Sequence, residues 1–474
     1  MLEQLEPAAL WRNFAALNAI PRPSRGEQQV LAFLRDFADR RGLEHSSDAA
    51  GNLLIRKSGK AGATVALQSH VDMVHQKDAE SDFDFATQGI GTRVEGDWVR
   101  ADGTTLGADN GIGVAAMLAV LDDASLQHPP LEALFTVSEE IGLLGARALQ
   151  PGMLQATRLL NLDTEDDREL CIGCAGAIDL LARGGYDEQP GDGEVAFEIA
   201  LGGLTGGHSG MDIHRGRGNA NRLMLRVLSS LPDEFQLLRW DGGGLRNAIP
   251  REARAWLRGS ALPQAQLEQL QAELSLELAF TDPEFRLTWR SLEGSPRLGL
   301  SPGYQRSLLA HLQGLLSGIS RMHPEVPGLV QTSNNWARIL LEQGQLQIHC
   351  LCRGSLDSER RALARSLAQL LEGIEGLQVA LEGDYPGWAP RPQADIVRTM
   401  ASIYRELFGQ EPQIVACHAG LECGIIGQHY PDMEMISFGP NILGAHSPQE
   451  RVQISSVQKF WKLLCTTLQR LVHA

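Results

Sequence analysis

Residues 131–149 read LEALFTVSEEIGLLGARAL. The opening run, 131–137, is apolar enough to predict a strand, and 141–149 carries a helical pattern. Between them stand Glu139 and Glu140, two carboxylates where a strand hands over to a helix. Working outward, 52–55, 64–68 and 158–162 also read as strands, and 111–121 reads as a helix. This alternation predicts an α/β layer with a mostly parallel central sheet. Ligands of such sheets collect beyond the carboxyl ends of the strands. His70, Glu139, Glu140 and Asp163 all fall just past a predicted strand. Upstream, Ser24-Arg25-Gly26-Glu27 has the spacing of a capping box for an amphipathic helix over 28–41, and Gly42 is a natural stop.

At 474 residues the chain is too long for one ordinary core, which predicts two domains. The turn-rich segments GGYDEQPGDGE (184–194) and DYPGWAP (384–390) bracket a stretch with strands and helices of its own. His446 lies beyond the second bridge, so if it joins Glu140 in one site the last stretch must return to the first domain. The expectation is a discontinuous catalytic domain, 1–183 and 386–474, with a second domain inserted at 184–385. The glycines and prolines of the bridges suit hinges whose closure would complete a site.

Composition narrows the function classes. Hydrophobic content of 43% and charged content of 21% are those of a soluble globular protein. A net charge of −16 without any basic block argues against a nucleic-acid partner, which needs clustered Lys and Arg. No run approaches the roughly 20 apolar residues that span a bilayer, so no membrane partner is expected. The start, MLEQLEPAALW, lacks the basic and apolar regions of a secretory signal. Seven scattered cysteines argue against a disulfide framework and for the reducing cytoplasm. Cys171-Ile172-Gly173-Cys174 is a CxxC without a second pair at zinc spacing, better read as buried small residues.

The polar signals have both bland and chemical readings. His70-Val71-Asp72 is a surface pair or a metal ligand with its support. Residues i and i+2 share a strand face, so Asp72 can hold the second ring nitrogen of His70. Asp109 sits in GTTLGADNGIG (103–113), a loop opening a helix. It is either an N-cap or a carboxylate bridging two cations. The loop lacks the Gly-Lys-Ser/Thr ending of a phosphate loop, and its glycines do not fit GxGxxG. Glu139 and Glu140 cannot both face one way on a regular strand, so one can bind metal while the other points at water. Asp163 ends RLLNLDTE, and His446 sits among Gly444, Ala445 and Ser447 in a loop suited to presenting a ligand. Together these residues supply the oxygen and nitrogen ligands of a two-metal hydrolytic centre, with one carboxylate left over as base.

In its order, HxD, then DN, then EE, then D, then a late H, the chain resembles the co-catalytic di-zinc peptidases that include aminoacylase and carboxypeptidase G. More closely it resembles the aminoacyl-histidine dipeptidases, the cytosol non-specific or carnosinase-like group. SHVDMV, GTTLGADNGIG, SEEIGLLGA, LNLDTE, GCAG, GLTGGHSG, NAIPREA and HAGLECG carry the likeness, and with the late histidine it extends over about 69–446. The resemblance implies a zinc-peptidase-like catalytic domain with an inserted α+β lid, hydrolysing Xaa-His and broader dipeptides. It implies two zinc ions per chain, with manganese or cobalt as substitutes, about 3.5–4 Å apart. His70 and Asp163 would hold one, Glu140 and His446 the other, and Asp109 would bridge them. Glu139 would be the general base towards the water between the metals, and Asp72 would orient His70. The family pattern also implies a cis peptide at Asp109–Asn110. His208 in GGHSG would steady the oxyanion, Asn247 and Arg353 would clamp the substrate, and Glu422 would face its amine. The one departure is Gly242-Gly243-Gly244-Leu245-Arg246, more glycine-rich than the pattern. The expected partner is a small dipeptide, with a homodimer as an assembly the sequence permits. An amidohydrolase releasing acyl groups from amino acids, and a metal-lacking binding protein on the same scaffold, are the competing readings.

Overall fold

The structure is a computed structural model describing residues 2–191, 193–293 and 298–473. The turn-rich segment at 184–194 contains Asp192, which lies outside the described residues. The chain forms two compact units. The first runs to Gly173, resumes over Trp388–Ala416 and again from Leu421 onward; the second comprises Cys174–Gly387 and Cys417–Gly420. The chain therefore leaves the first unit about ten residues before the turn-rich segment. Gly176–Gly185 is a strand bonded along its length to Gln345–Gly354 and Leu377–Tyr385, and this pairing keeps it in the second unit.

Among the described residues, the first unit holds an eight-stranded sheet. In order across the sheet the strands are Glu44–Ser47, Leu53–Lys57, Leu131–Thr136, Val65–His70, Arg158–Asn161, Glu434–Ser437, Glu169–Cys174 and Gln413–Cys417. The four central strands, from Leu131–Thr136 to Glu434–Ser437, are parallel. Leu53–Lys57 runs antiparallel on one side and Glu169–Cys174 on the other, so the sheet is mixed, with its parallel part at the centre. Every residue of Val65–His70 and Leu131–Thr136 is buried, as expected for strands covered on both faces. Helices Ala8–Asn18, Gln28–Arg41, Ala108–Asp122, Asp395–Phe408 and Ile454–Leu471 contribute to the same hydrophobic core.

The helix Ala108–Asp122, ADNGIGVAAMLAVLD, is apolar almost all round, and nearly all of it is buried. Its glycines allow the approach that matters. A Cβ on Gly113 would lie 2.4 Å from Ser69 Oγ and 2.8 Å from Leu162 O, atoms at the ends of two central strands. This closeness seats the helix start, and Asp109 with it, over the strand ends carrying His70 and Asp163. Gly113→Ala is expected to destabilise the protein by about 1–3 kcal/mol through overpacking. Gly303, whose added Cβ would meet nothing within 4 Å, is the control. Urea midpoints of the two variants provide the measurement, and equal midpoints would contradict the packing argument.

Among the described residues, the second unit is built on a nine-stranded sheet whose strand pairings are all antiparallel. Its helices Ala220–Ser230, Pro302–Gln313 and Asp357–Glu372 pack their apolar sides into one core. The long hairpin Val330–Glu342 and Gln345–Gly354 turns through Gln343 at φ 52° and Gly344 at φ 72°, the left-handed pair that a two-residue hairpin loop requires. Among the described residues, none of the seven cysteines is in a disulfide. Among the described residues, no helix is long and apolar enough to cross a membrane.

Candidate active site

His70 is the last residue of Val65–His70 and is 1% exposed. Its Nε2 lies 3.1 Å from Asp109 Oδ1 and 3.5 Å from Asp163 Oδ1, while its Nδ1 lies 3.4 Å from Asp72 Oδ1. The other oxygen of Asp109 faces a second histidine, with His446 Nε2 3.1 Å from Oδ2. His446 Nε2 also lies 3.0 Å from Glu140 Oε2. One carboxylate thus stands between two imidazoles, one on each oxygen, and Asp163 and Glu140 flank them. Donor atoms of His70, Asp109 and Glu140 all lie within 4.8 Å of one another. The Asp109–Asn110 peptide is cis.

The donor set fits two divalent cations. Glu140 Oε1 and Asp163 Oδ1 are buried and accept no hydrogen bond. Buried acceptors are normally satisfied, so such oxygens are the groups a cation would engage. Two imidazoles and three carboxylates match zinc, and manganese or cobalt as well.

Electrostatics point the same way. Burial opposes charge on His70, yet Asp163, Asp109 and Asp72 hold its pKa well above the ordinary value. Bonds to Asp109 and Glu140 push His446 up to about 11. Burial, with Glu140, Asp163 and Glu422 nearby, raises Glu139 well above a usual carboxylate, against the pull of His70. Glu140 and Asp163 are raised too, chiefly by burial. All of these shifts favour the more positive form of each group, as expected where several carboxylates crowd together in a buried site.

Local structure explains how the two glutamates are aimed. Ser138 takes φ 52° and Leu143 φ 60°, so the chain turns sharply after the strand instead of entering a helix at once. The helix expected over 141–149 is correspondingly short, Leu144–Ala148. Asp72, fully buried, holds this turn: Oδ1 accepts from Glu139 N at 3.0 Å and Oδ2 from Glu140 N at 3.3 Å. Asp72 therefore supports the glutamates as well as His70. Burial disfavours its charge, but His70, Ser24 and the Glu139 amide hold its pKa below the usual value.

The capping box expected at 24–27 is not formed. Ser24 Oγ donates to Asp72 Oδ2 at 2.7 Å. Glu27 Oε1 accepts from Ser138 N at 2.9 Å and Ser138 Oγ at 2.7 Å. Helix Gln28–Arg41 starts without a side-chain cap, because both side chains serve the turn before Glu139. It does end at Gly42, in the left-handed conformation at φ 64°.

Glu422, the first residue of Glu422–His429, is fully buried. Its Oε2 accepts from Gln68 Nε2 and Thr136 Oγ1, both at 2.6 Å, and burial pushes its carboxyl up to about 7. The chain thus sets Glu422 against the strand residues behind the ligands rather than on an exposed face.

A second group of expected residues gathers in the second unit. His208 pairs with Ala248 in a two-residue ladder. Its Nδ1 accepts from Gly210 N at 3.2 Å and Met211 N at 3.1 Å. Backbone N–H groups only donate, so this nitrogen is unprotonated and the ring proton sits on Nε2. Burial, and then the Arg353 charge, depress the pKa to about 4, which keeps the ring neutral. Arg353 is 4% exposed, with Nε 3.3 Å from Ser209 Oγ and Nη1 3.5 Å from Tyr385 Oη. Asn247 is exposed, and its backbone oxygen accepts from Ser209 N at 2.7 Å. His418, which the sequence offered only as part of HAGLECG, is buried there with Nε2 2.7 Å from Ser333 Oγ. Arg22 and Glu450 were also missed, each a lone polar residue outside any motif, while Glu27 was read only as part of a helix cap; all three are buried.

Comparison with known proteins agrees with this reading. Residues 66–470 match the model of peptidase family M20/M25/M40. The chain is 39% identical to the cytosol non-specific dipeptidase of Escherichia coli K12, over 99% of each chain. The crystal structure of an aminoacylhistidine dipeptidase from Vibrio alginolyticus superposes with a TM-score of 0.91 at 37% identity, covering 99% of this chain and 98% of that one. Aminopeptidase PepT from Bacillus cereus ATCC 10987 shares the fold at TM-score 0.58 and 15% identity, covering 98% of this chain and 99% of that one. The order of the ligand-bearing segments, their convergence on one carboxylate and these full-length likenesses lead to one assignment: this chain is a member of peptidase family M20/M25/M40.

Proposed function

We propose that this protein is a metal-dependent dipeptidase of broad specificity that includes Xaa-His substrates, working with two divalent cations per chain, zinc by preference. The observation that carries the reading is Asp109, whose two carboxylate oxygens each face a different histidine at 3.1 Å. His70 and Asp163 would hold one cation, Glu140 and His446 the other, and Asp109 would serve both. When bound, the cations supply Lewis-acid polarisation of the scissile carbonyl and make water more acidic.

The chain's own residues do the rest. Glu139 takes a proton from the attacking water and returns it to the leaving amine, as a general base that becomes a general acid. Asp72 fixes His70 through Nδ1 and fixes Glu139 and Glu140 through their amides, so base and ligands share one anchor. His208 offers Nε2–H to the oxyanion as a neutral donor, which costs the site no further cationic charge. Arg353 takes the substrate carboxylate with its fork of N–H groups, and Asn247, whose backbone oxygen accepts from the same Ser209 that Arg353 contacts, serves as a second clamp. For Glu422 we favour support of Gln68 and Thr136 behind the ligands over contact with the substrate amine.

A substrate panel tests the reading. Carnosine and alanyl and glycyl dipeptides should be hydrolysed, N-acetyl amino acids should not, and a chelator should abolish turnover until metal is restored. Preference for N-acetyl amino acids would establish the amidohydrolase instead. Turnover untouched by exhaustive chelation would overturn the metal dependence.

A further inference from the structure

Three segments far apart in sequence carry the ligands of the proposed cation that His446 shares with Asp109 and Glu140. Two of them meet through a group that none of the motifs contains. Glu450 is 2% exposed, and its carboxylate accepts four consecutive backbone amides. Oε2 takes Leu106 N at 2.7 Å and Gly107 N at 3.0 Å, and Oε1 takes Ala108 N at 2.7 Å and Asp109 N at 3.2 Å. Hydrogen bonds to an ionised acceptor are roughly twice as strong as neutral ones. The loop carrying Asp109 is therefore wrapped around a single anion.

Glu450 also closes the turn that presents His446. Its own N–H donates to Ser447 O at 3.0 Å, and Ser447 Oγ donates to Gly444 O at 2.7 Å. His446 sits inside that turn at φ 63°, a left-handed conformation rare for a residue with a side chain. The 444–450 turn and the 106–109 loop are thus one hydrogen-bonded assembly, with a ligand on each half.

Arg22 holds the opposite side. Its guanidinium, 1% exposed, donates from Nη2 to Gly107 O at 2.6 Å and from Nη1 to Val71 O at 3.1 Å and Asp72 O at 3.2 Å. The Gly107 residue is gripped at its oxygen by Arg22 and at its nitrogen by Glu450. Gly107 has φ 71°, and a Cβ there would lie 2.4 Å from Arg22 Nη2, so only glycine fits between the two grips.

We propose that Glu450 is a positioning residue of the two-cation site, setting the bridging Asp109 at its distance from His446 by clamping the Leu106–Asp109 amides. The proposal rests on the two-cation reading above. Glutamine has the same shape but turns an NH2 towards donors that need an acceptor. E450Q should therefore loosen Asp109 against His446 while His70 and Asp163 keep their places.

The test is a calorimetric titration of chelator-stripped full-length protein with Zn2+, wild type beside E450Q, E450D and H446A. In E450Q one ion should bind ~10–100-fold more weakly, the scale seen when groups supporting metal ligands are removed. The weakened ion should be the one that H446A removes, with the other close to wild type. Excess Zn2+ should then restore kcat with KM for a dipeptide nearly unchanged. E450D keeps the charge on a shorter arm and should fall between. Wild-type affinity for both ions, or equal weakening of both, overturns the proposal. So does failure of both variants to fold in excess metal, which would make Glu450 a purely structural residue. If the wild-type protein itself takes up fewer than two ions, the two-cation reading fails instead.

Discussion

Glu139→Gln is expected to keep both cations and to bind substrate while losing about 10²–10⁴-fold in kcat, the usual contribution of a general base. The amide nearly matches the carboxylate in shape, so the turn held by Asp72 and Glu27 should stay intact. That turn is anchored through the backbone amides of Glu139 and Glu140 and through Ser138, and the Glu139 carboxylate takes no part in it. Only basicity is lost. The measurement is kcat with metal content determined on the same sample. Near-normal turnover would move the base elsewhere, with Glu140 the next candidate. A variant that also loses an ion would make Glu139 a ligand instead.

His208→Ala should lower kcat about 10²–10³-fold, the cost of removing one oxyanion donor, and should leave the metal content at its wild-type value. The sign of the pH effect follows from the site. With its pKa at about 4, the ring is neutral and carries its proton on Nε2 throughout the neutral range. Above that value, then, the wild-type pH profile should show no limb due to His208. The loss in the alanine variant should accordingly be constant between pH 6 and pH 8, a range set by the experiment. An unchanged kcat would remove the oxyanion role, and a loss confined to acidic pH would mean that the ring acts as a protonated acid.

Parts of this candidate site were legible in the sequence because each proposed ligand is announced locally. His70 and Asp163 end apolar runs that can only be buried strands, and Glu139-Glu140 follow a third. Asp109 opens a helix among glycines whose need for close approach the structure explains at Gly113. The fold class was legible for the same reason, since buried parallel strands leave continuous apolar runs. What stayed hidden acts over long sequence separations on backbone groups. Glu450 bonds to amides more than three hundred residues away, and Arg22 to carbonyls at Val71, Asp72 and Gly107. No periodicity or motif marks such residues, because their partner is the main chain, which every sequence has.

Ser24 and Glu27 show the complementary failure. Their spacing imitates a helix cap, but tertiary partners at Asp72 and Ser138 win the same side chains. Hydropathy likewise hid the first half of Val330–Glu342. Gln331, Thr332, Ser333, Asn334 and Asn335 are all buried, and they are satisfied by specific partners rather than by apolar packing. Asn335 Nδ2, for example, donates to Ala248 O at 2.8 Å, and Ser333 Oγ meets His418 Nε2 at 2.7 Å. These polar groups surround the candidate substrate-binding residues, where binding a polar substrate would call for polarity inside a sheet.

Asp109 is proposed to serve two cations, each with its own histidine. The most direct test of this role is the number of metal ions per chain in fully active protein, determined by elemental analysis after saturation and removal of loosely held metal. The expected result is two per chain in the wild type, one after His446→Ala, and loss of dipeptide hydrolysis with the loss of either. Full dipeptidase turnover by protein carrying at most one ion per chain would contradict it.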